Sequence, residues 1–217
     1  MIEIIQRIKK HYLPMIFLIL LTGFIFYLAK GNRKAIPFIT WSSGYISIII
    51  LSISLIIGPV NLLLKYKNPI STYFRRDVSI IGGTLAIVHS IFGIFVHFGG
   101  KIWPYFLKKT ETGYSIRLDN FGLANNIGLF STLIIVLLLI TSNDYLLKKM
   151  KPDNWKNIQR LSYLMFILTI IHCYYYRIVA KNLDLLYFLY IPLVIIVLTF
   201  QMIGVWSKLS IYKEKKI

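Results

Sequence analysis

The sequence predicts an all-α integral membrane protein, a six-helix transmembrane bundle with both termini cytoplasmic, and three observations carry that prediction. The 217 residues are 57% hydrophobic and only 15% charged, too little charged surface for a water-soluble domain of this length. The apolar residues come as long unbroken runs rather than in alternating or amphipathic patterns, and lipid accepts an apolar exterior on every helix. Lys and Arg crowd the ends of those runs, where topology and anionic headgroups place them.

Runs of near-spanning length place helices at about 12–29, 38–64, 78–98, 122–141, 157–178 and 183–206, in a single transmembrane domain covering 1–217. The first follows MIEIIQRIKK, which resembles the start of a signal peptide but lacks a clear small-x-small cleavage site, so it reads as a retained helix. The second is longer than a bilayer needs, and Gly58-Pro59 is expected to kink it or end it early, because Pro59 has no backbone donor. The remaining four are ordinary in length. No internal repeat, low-complexity tract or second soluble domain is visible.

Six spans put both termini on one side. Arg7, Lys9, Lys10, Lys65, Lys67, Arg75, Arg76, Lys148, Lys149, Lys151, Lys156, Arg160, Lys208, Lys213, Lys215 and Lys216 make 16 cations on that side. The opposite side holds 9: Lys30, Arg33, Lys34, Lys101, Lys108, Lys109, Arg117, Arg177 and Lys181. The excess assigns the termini to the cytoplasm. The same placement makes lipid, and not nucleic acid, the partner of this basic chain. Trp103, Tyr105, Tyr114, Trp155 and Trp206 fall near span ends and read as an interfacial aromatic belt.

Ionisable groups inside a span are costly and point to function. His11 lies at the water boundary and reads as solvated, whereas His89, His97 and His172 lie within the third and fifth spans. A transmembrane haem needs neutral imidazoles from two helices at matching depth. At about 1.5 Å per residue, His89 lies roughly 16 Å, His172 roughly 22 Å and His97 roughly 28 Å from the cytoplasmic helix ends. His172 could therefore pair with either of the others. Gly82, Ala86 and Gly93 share a stripe with His89, where a flat ring could approach, although small residues also serve close helix packing and buried histidines also serve as hydrogen-bonding groups. The lone Cys173 excludes an intrachain disulfide or a cysteine-based metal site. There is no HExxH, P-loop or GxGxxG, and Asp184, beside a boundary, is the one acid read near a span interior.

Two segments carry a family resemblance: FRRDVSIIGGTLAIVHSIF, and TSNDYLLKKMKPDNWKNIQRLSYLMFILTIIHCYYYRIV. In order they supply Arg75, Arg76, His89, Thr141, Ser142, Trp155, Arg160, Leu161, Tyr163 and His172. Over roughly residues 70–178 the chain resembles the ferric reductase-like transmembrane family, and within it the haem-binding membrane subunits of bacterial periplasmic methionine sulfoxide reductase systems. Where that pattern has a histidine opening the fifth helix, this sequence has Gln159, a poor partner for haem iron.

The resemblance implies one b-type haem held by His89 and His172, with a second, through His97 or His11, left open. Arg75, Arg76 and Arg160 would pair with haem propionates or with the phosphate of an incoming flavin mononucleotide, or would serve as cytoplasmic anchors. It further implies an electron-transfer subunit of the bacterial inner membrane, distinct from the catalytic subunit. Such a subunit takes electrons from a cytoplasmic flavin reductase or from quinol and passes them to a periplasmic molybdenum-cofactor reductase. A stand-alone ferric or other metal reductase, and a transporter or structural protein without haem, are the alternative readings.

Overall fold

Within lipid each backbone donor must be satisfied inside its own segment, and every apolar run of this chain is helical. The computed structural model describes residues 2–30, 34–64 and 69–214. Arg33, Lys65, Lys67, Lys215 and Lys216, which enter the charge count, lie outside the described residues.

Helix α1 (Ile2–Arg7) runs through a π-helical turn, Ile8–Tyr12, into α2 (Leu13–Lys30). Next come α3 (Ala35–Leu63), α4 (Pro69–Phe98) and the short α5 (Trp103–Phe106). An antiparallel hairpin follows, β1 (Leu107–Thr110) and β2 (Gly113–Ile116), with Leu107 opposite Ile116 and Lys109 opposite Tyr114. The chain continues through α6 (Asn120–Thr141), α7 (Asp144–Lys149), α8 (Pro152–Gln159) and α9 (Leu161–Val179). A second π-helical turn, Leu186–Tyr190, leads into α10 (Ile191–Glu214).

Six stretches among the described residues are long and apolar enough to cross a membrane: Ile5–Ala29, Ala35–Leu63, Tyr73–Phe98, Asn120–Thr141, Asp153–Val179 and Leu186–Ser210. The six expected spans are therefore present, and the protein is a multi-pass, all-α membrane protein. The first and third begin earlier than expected, because Arg7, Arg76 and Asp77 are taken into the helical bundle as ion pairs instead of marking its edge. Helix α3 passes through Pro59 and ends one turn later. The proline ring lies against Gly204 of α10, where an added Cβ would stand 3.0 Å from it.

Four helices form the centre. Helix α3 packs along α4, α6 along α9, and α4 meets α6. Leu51, Ala86, Ile135 and Met165, one from each helix, close a common core. The first span covers one flank, setting Tyr12, Met15, Ile19 and Phe26 against Ile46, Ile50, Val78 and Ile81. Helix α10 and the π-helical turn before it cover another, where Val197 and Tyr190 join Tyr45, Ile48, Leu55 and Phe166.

An even number of spans leaves both termini on one side, the terminal side, and the hairpin on the other. Asp119 caps α6 by accepting from Gly122 N at 2.7 Å and holds Arg117 at 2.9 Å. The Gly122 amide, followed by Arg117, keeps its carboxyl below the usual carboxylate range. Tyr105, expected in the interfacial belt, is instead 4% exposed. Its hydroxyl donates to the carbonyls of Gly93 (3.0 Å) and Ile94 (2.9 Å) and accepts from His97 N, which pins the loop to the end of α4. Trp155 also leaves the belt, donating its indole N–H to Thr141 O at 3.0 Å, whereas Trp103, Tyr114 and Trp206 are exposed.

Candidate functional site

Of the two histidine pairings that depth left open, the structure brings one together. His89 of α4 and His172 of α9 face each other across the four-helix centre, with ring centroids 6.1 Å apart and planes at 90°. His97 packs near the end of α4 against Phe121, Tyr105 and Phe98, at centroid distances of 5.2, 6.2 and 6.4 Å.

Each central imidazole is fixed in the same way. His89 Nδ1 lies 2.7 Å from Thr40 O, and His172 Nδ1 lies 2.8 Å from Ala124 O. A carbonyl can only accept, so in each ring Nδ1 carries the proton and Nε2 keeps its lone pair. Each ring also rests on a glycine of the neighbouring helix. A Cβ at Gly44 would stand 2.7 Å from His89 Nδ1, and one at Gly128 would stand 2.6 Å from His172 Nδ1. These two glycines, missed in the sequence, are where the flat rings approach. The stripe singled out there does other work: a Cβ at Gly82 would stand 3.0–3.1 Å from Leu51 and Ile50, and Ala86 belongs to the core. That is close helix packing.

The two halves repeat one another. Thr40, Gly44 and Ser47 on α3 correspond to Ala124, Gly128 and Ser131 on α6, eighty-four residues on. Gly82 and His89 on α4 correspond to Met165 and His172 on α9, eighty-three residues on. Ser47 Oγ donates to Gly82 O at 2.9 Å, and Ser131 Oγ donates to Met165 O at 3.4 Å, so the hydrogen bonds repeat with the positions. The α3–α4 and α6–α9 pairs thus form a parallel internal repeat about an axis between the histidines. Of these five pairs only Gly44–Gly128, Ser47–Ser131 and His89–His172 keep the same residue, and the other identities within the spans are common apolar residues or serine, which is why no repeat was visible in the sequence.

The same correspondence carries Arg76 to Gln159, thirteen residues before His89 and His172, or about 20 Å along the helices toward the terminal side. Gln159 donates to Thr141 Oγ1 at 3.2 Å. Arg76 pairs with Asp144 and lies 5.1 Å over the Tyr73 ring. Arg75 donates to Ser54 O at 3.1 Å, and Arg160 donates to Asn157 at 2.9 Å. None of the three arginines is brought to the histidine pair.

Their neighbourhood corrects two expectations. His11, read as solvated, is 12% exposed and sits 2.6 Å from Asp77. Asp77, not read as an intramembrane acid, is fully buried and also accepts from Arg7 and from Tyr12 at 3.0 Å. Arg7 reaches Asp144 at 3.4 Å as well. The π-helical turn supplies His11 and Tyr12, and such turns often occur at special sites. Arg7, Tyr12, Arg76 and Asp144 border a cavity of about 310 Å³.

Two imidazoles suit a macrocycle better than a bare ion. Among the described residues no group of three or more His, Cys, Asp or Glu is placed to hold a metal, as a zinc site requires. A haem brings four nitrogens of its own and asks the protein for two. Two metal–imidazole bonds of about 2.0 Å in line, with about 1.1 Å from each nitrogen to its ring centroid, put the centroids roughly 6 Å apart. The observed spacing and the two glycine cradles fit that group. At the level of Arg76 and Gln159 neither side chain is a haem ligand, so that level offers no histidine pair.

No curated protein matches the chain. The family described as ferric reductase like transmembrane component matches residues 43–170, more than half of the chain, a stretch that contains Gly44, His89 and Gly128 and stops two residues before His172. The chain belongs to the ferric reductase-like transmembrane family.

Proposed function

We propose that this membrane electron-transfer component carries one b-type haem between His89 and His172 and passes electrons across the bacterial inner membrane, with both termini cytoplasmic. The observation that carries the reading is the pair of imidazoles with ring centroids 6.1 Å apart, each held at Nδ1 by a backbone carbonyl and resting on a glycine, which leaves both Nε2 atoms free to bind. When bound, the haem supplies reversible one-electron chemistry. The chain's own residues set its position and environment. Thr40 O and Ala124 O orient the rings and raise their basicity through the Nδ1–H bonds. The core residues Leu51, Ala86, Ile135 and Met165 seal its terminal side from water.

In the fuller form of the proposal, a cytoplasmic flavin reductase, working through flavin mononucleotide, or quinol is the donor. The acceptor is a periplasmic molybdenum-cofactor reductase that repairs methionine sulfoxide. The resemblance of the Arg75–His89 and Thr141–His172 segments supports this form. The test is a reduced-minus-oxidised absorption spectrum of detergent-purified wild type, His89→Ala and His172→Ala from haem-replete cells. A b-type signal in wild type and its loss in both variants is expected. A colourless wild type would overturn the reading.

A further inference from the structure

Resting on the haem assignment above, we propose that the β1–β2 hairpin and its flanks form the docking surface for a soluble redox protein with an acidic face. The histidine pair is displaced toward the hairpin side. His89 stands nine residues, about 14 Å, from the end of α4 at Phe98, but sixteen residues, about 24 Å, from Tyr73 at the other end of the span. Electron exchange weakens steeply with distance, so the shorter route between this haem and a protein partner lies on the hairpin side, where the acceptor would dock.

The surface met there is both apolar and basic. Trp103, Tyr114, Ile116 and Leu118 are 65–74% exposed. Lys108 and Lys109 are also exposed, and neither is within ion-pair distance of a carboxylate among the described residues. Exposed aromatic rings rimmed by unpaired cations are the composition of a protein interface whose partner is negative. The apolar strand residues Leu107, Tyr114 and Ile116 share one face, but Lys109, directly across from Tyr114, lies among them. A cation set within the apolar face suits a charged protein partner better than the hydrocarbon of lipid; Lys108 lies on the opposite face with Thr110 and Ser115. The surface is also held in place: Arg117 N bonds Phe106 O at 2.7 Å, the Arg117 guanidinium bonds Pro104 O at 3.0 Å, and Tyr105 anchors the turn to α4. A preformed surface binds without the cost of ordering it.

The test measures binding of a fluorescently labelled acidic flavodoxin to the full chain in zwitterionic-lipid nanodiscs, for wild type, Lys108→Glu/Lys109→Glu and, as a control from the terminal side, Lys148→Glu/Lys149→Glu. The hairpin variant is expected to bind at least about tenfold more weakly, with the control close to wild type and wild-type binding falling as salt rises. Equal binding by the hairpin variant and wild type, or an equal loss in the control, overturns the proposal. Probe affinity that ignores the hairpin variant and follows only added anionic lipid assigns the hairpin to the headgroup layer and overturns it too. Haem absorption of the same nanodiscs is read separately: a colourless chain sinks the haem assignment, while the contrast between the variants still decides the docking surface.

Discussion

Two levels of the same four-helix bundle, related by thirteen residues along α4 and α9, have opposite characters. At the upper one His89 and His172 meet ring to ring, and the neighbouring helices yield with Gly44 and Gly128. At the lower one the positions are Arg76 and Gln159, and stepping thirteen residues along the antiparallel partners replaces the glycines with Ile57 and Thr141. Gln159 donates to Thr141 and Arg76 is held by Asp144, so the lower level is filled by protein–protein bonds. On the haem reading proposed above, the site is made of four positions, two that bind (His89, His172) and two that withdraw (Gly44, Gly128).

The largest expected effect comes from filling a cradle. Gly128→Val places carbon where the His172 ring lies, and haem per chain should fall to near zero while the bundle stays helical by circular dichroism. Gly23→Val, with nothing within 4 Å of its Cβ, should retain full haem. Loss of haem in both would show that any added bulk disturbs the protein, and would remove the special standing of Gly128.

At the lower level the expected effect is on stability. Asp77→Asn removes a buried carboxylate that holds Arg7, His11 and Tyr12, and should cost about 3 kcal/mol in detergent unfolding. The haem spectrum should be unchanged, since the two levels are about 20 Å apart. A shifted spectrum would couple regions that are here described as separate.

Smaller still is the cap on the hairpin side. Asp119→Ala should cost about 1 kcal/mol. Because the folded carboxyl titrates below its unfolded value, the cap's stabilisation is complete above the unfolded pKa and is lost as pH falls through the folded one. The wild-type advantage over Asp119→Ala should therefore be flat near neutrality and shrink only in acid. The null effect is Arg76→His/Gln159→His. It supplies two imidazoles without the glycines, so haem should remain at one per chain; a gain to two would break the four-position rule.

Much of this was legible beforehand, for particular reasons. The six spans follow from runs of apolar residues, a signal that needs no tertiary information, and His89 and His172 were singled out because ionisable groups in lipid are costly. Helix depth alone left His89 and His97 open and the small-residue stripe beside His89 favoured it, but the glycines that receive the rings were not legible, because they lie on α3 and α6, more than forty residues from the rings they support. Spacing offered one signal in retrospect: a Gly–His pair forty-five residues apart, Gly44 and His89, recurs at forty-four with Gly128 and His172. The Asp77 cluster had no such signal. Arg7, His11 and Tyr12 lie more than sixty residues away, and only the packing of the first span against α4 brings them to one carboxylate. The hairpin was missed because Leu107–Ile116 is too short and too polar for alternation to stand out.

The most direct test of the central claim is the haem-to-chain ratio of the purified protein, measured by haem absorption against amino-acid analysis. One haem per chain in wild type, unchanged in Gln159→Ala and absent in His172→Ala, is the predicted result. A ratio of two, or of one that survives His172→Ala, would contradict it.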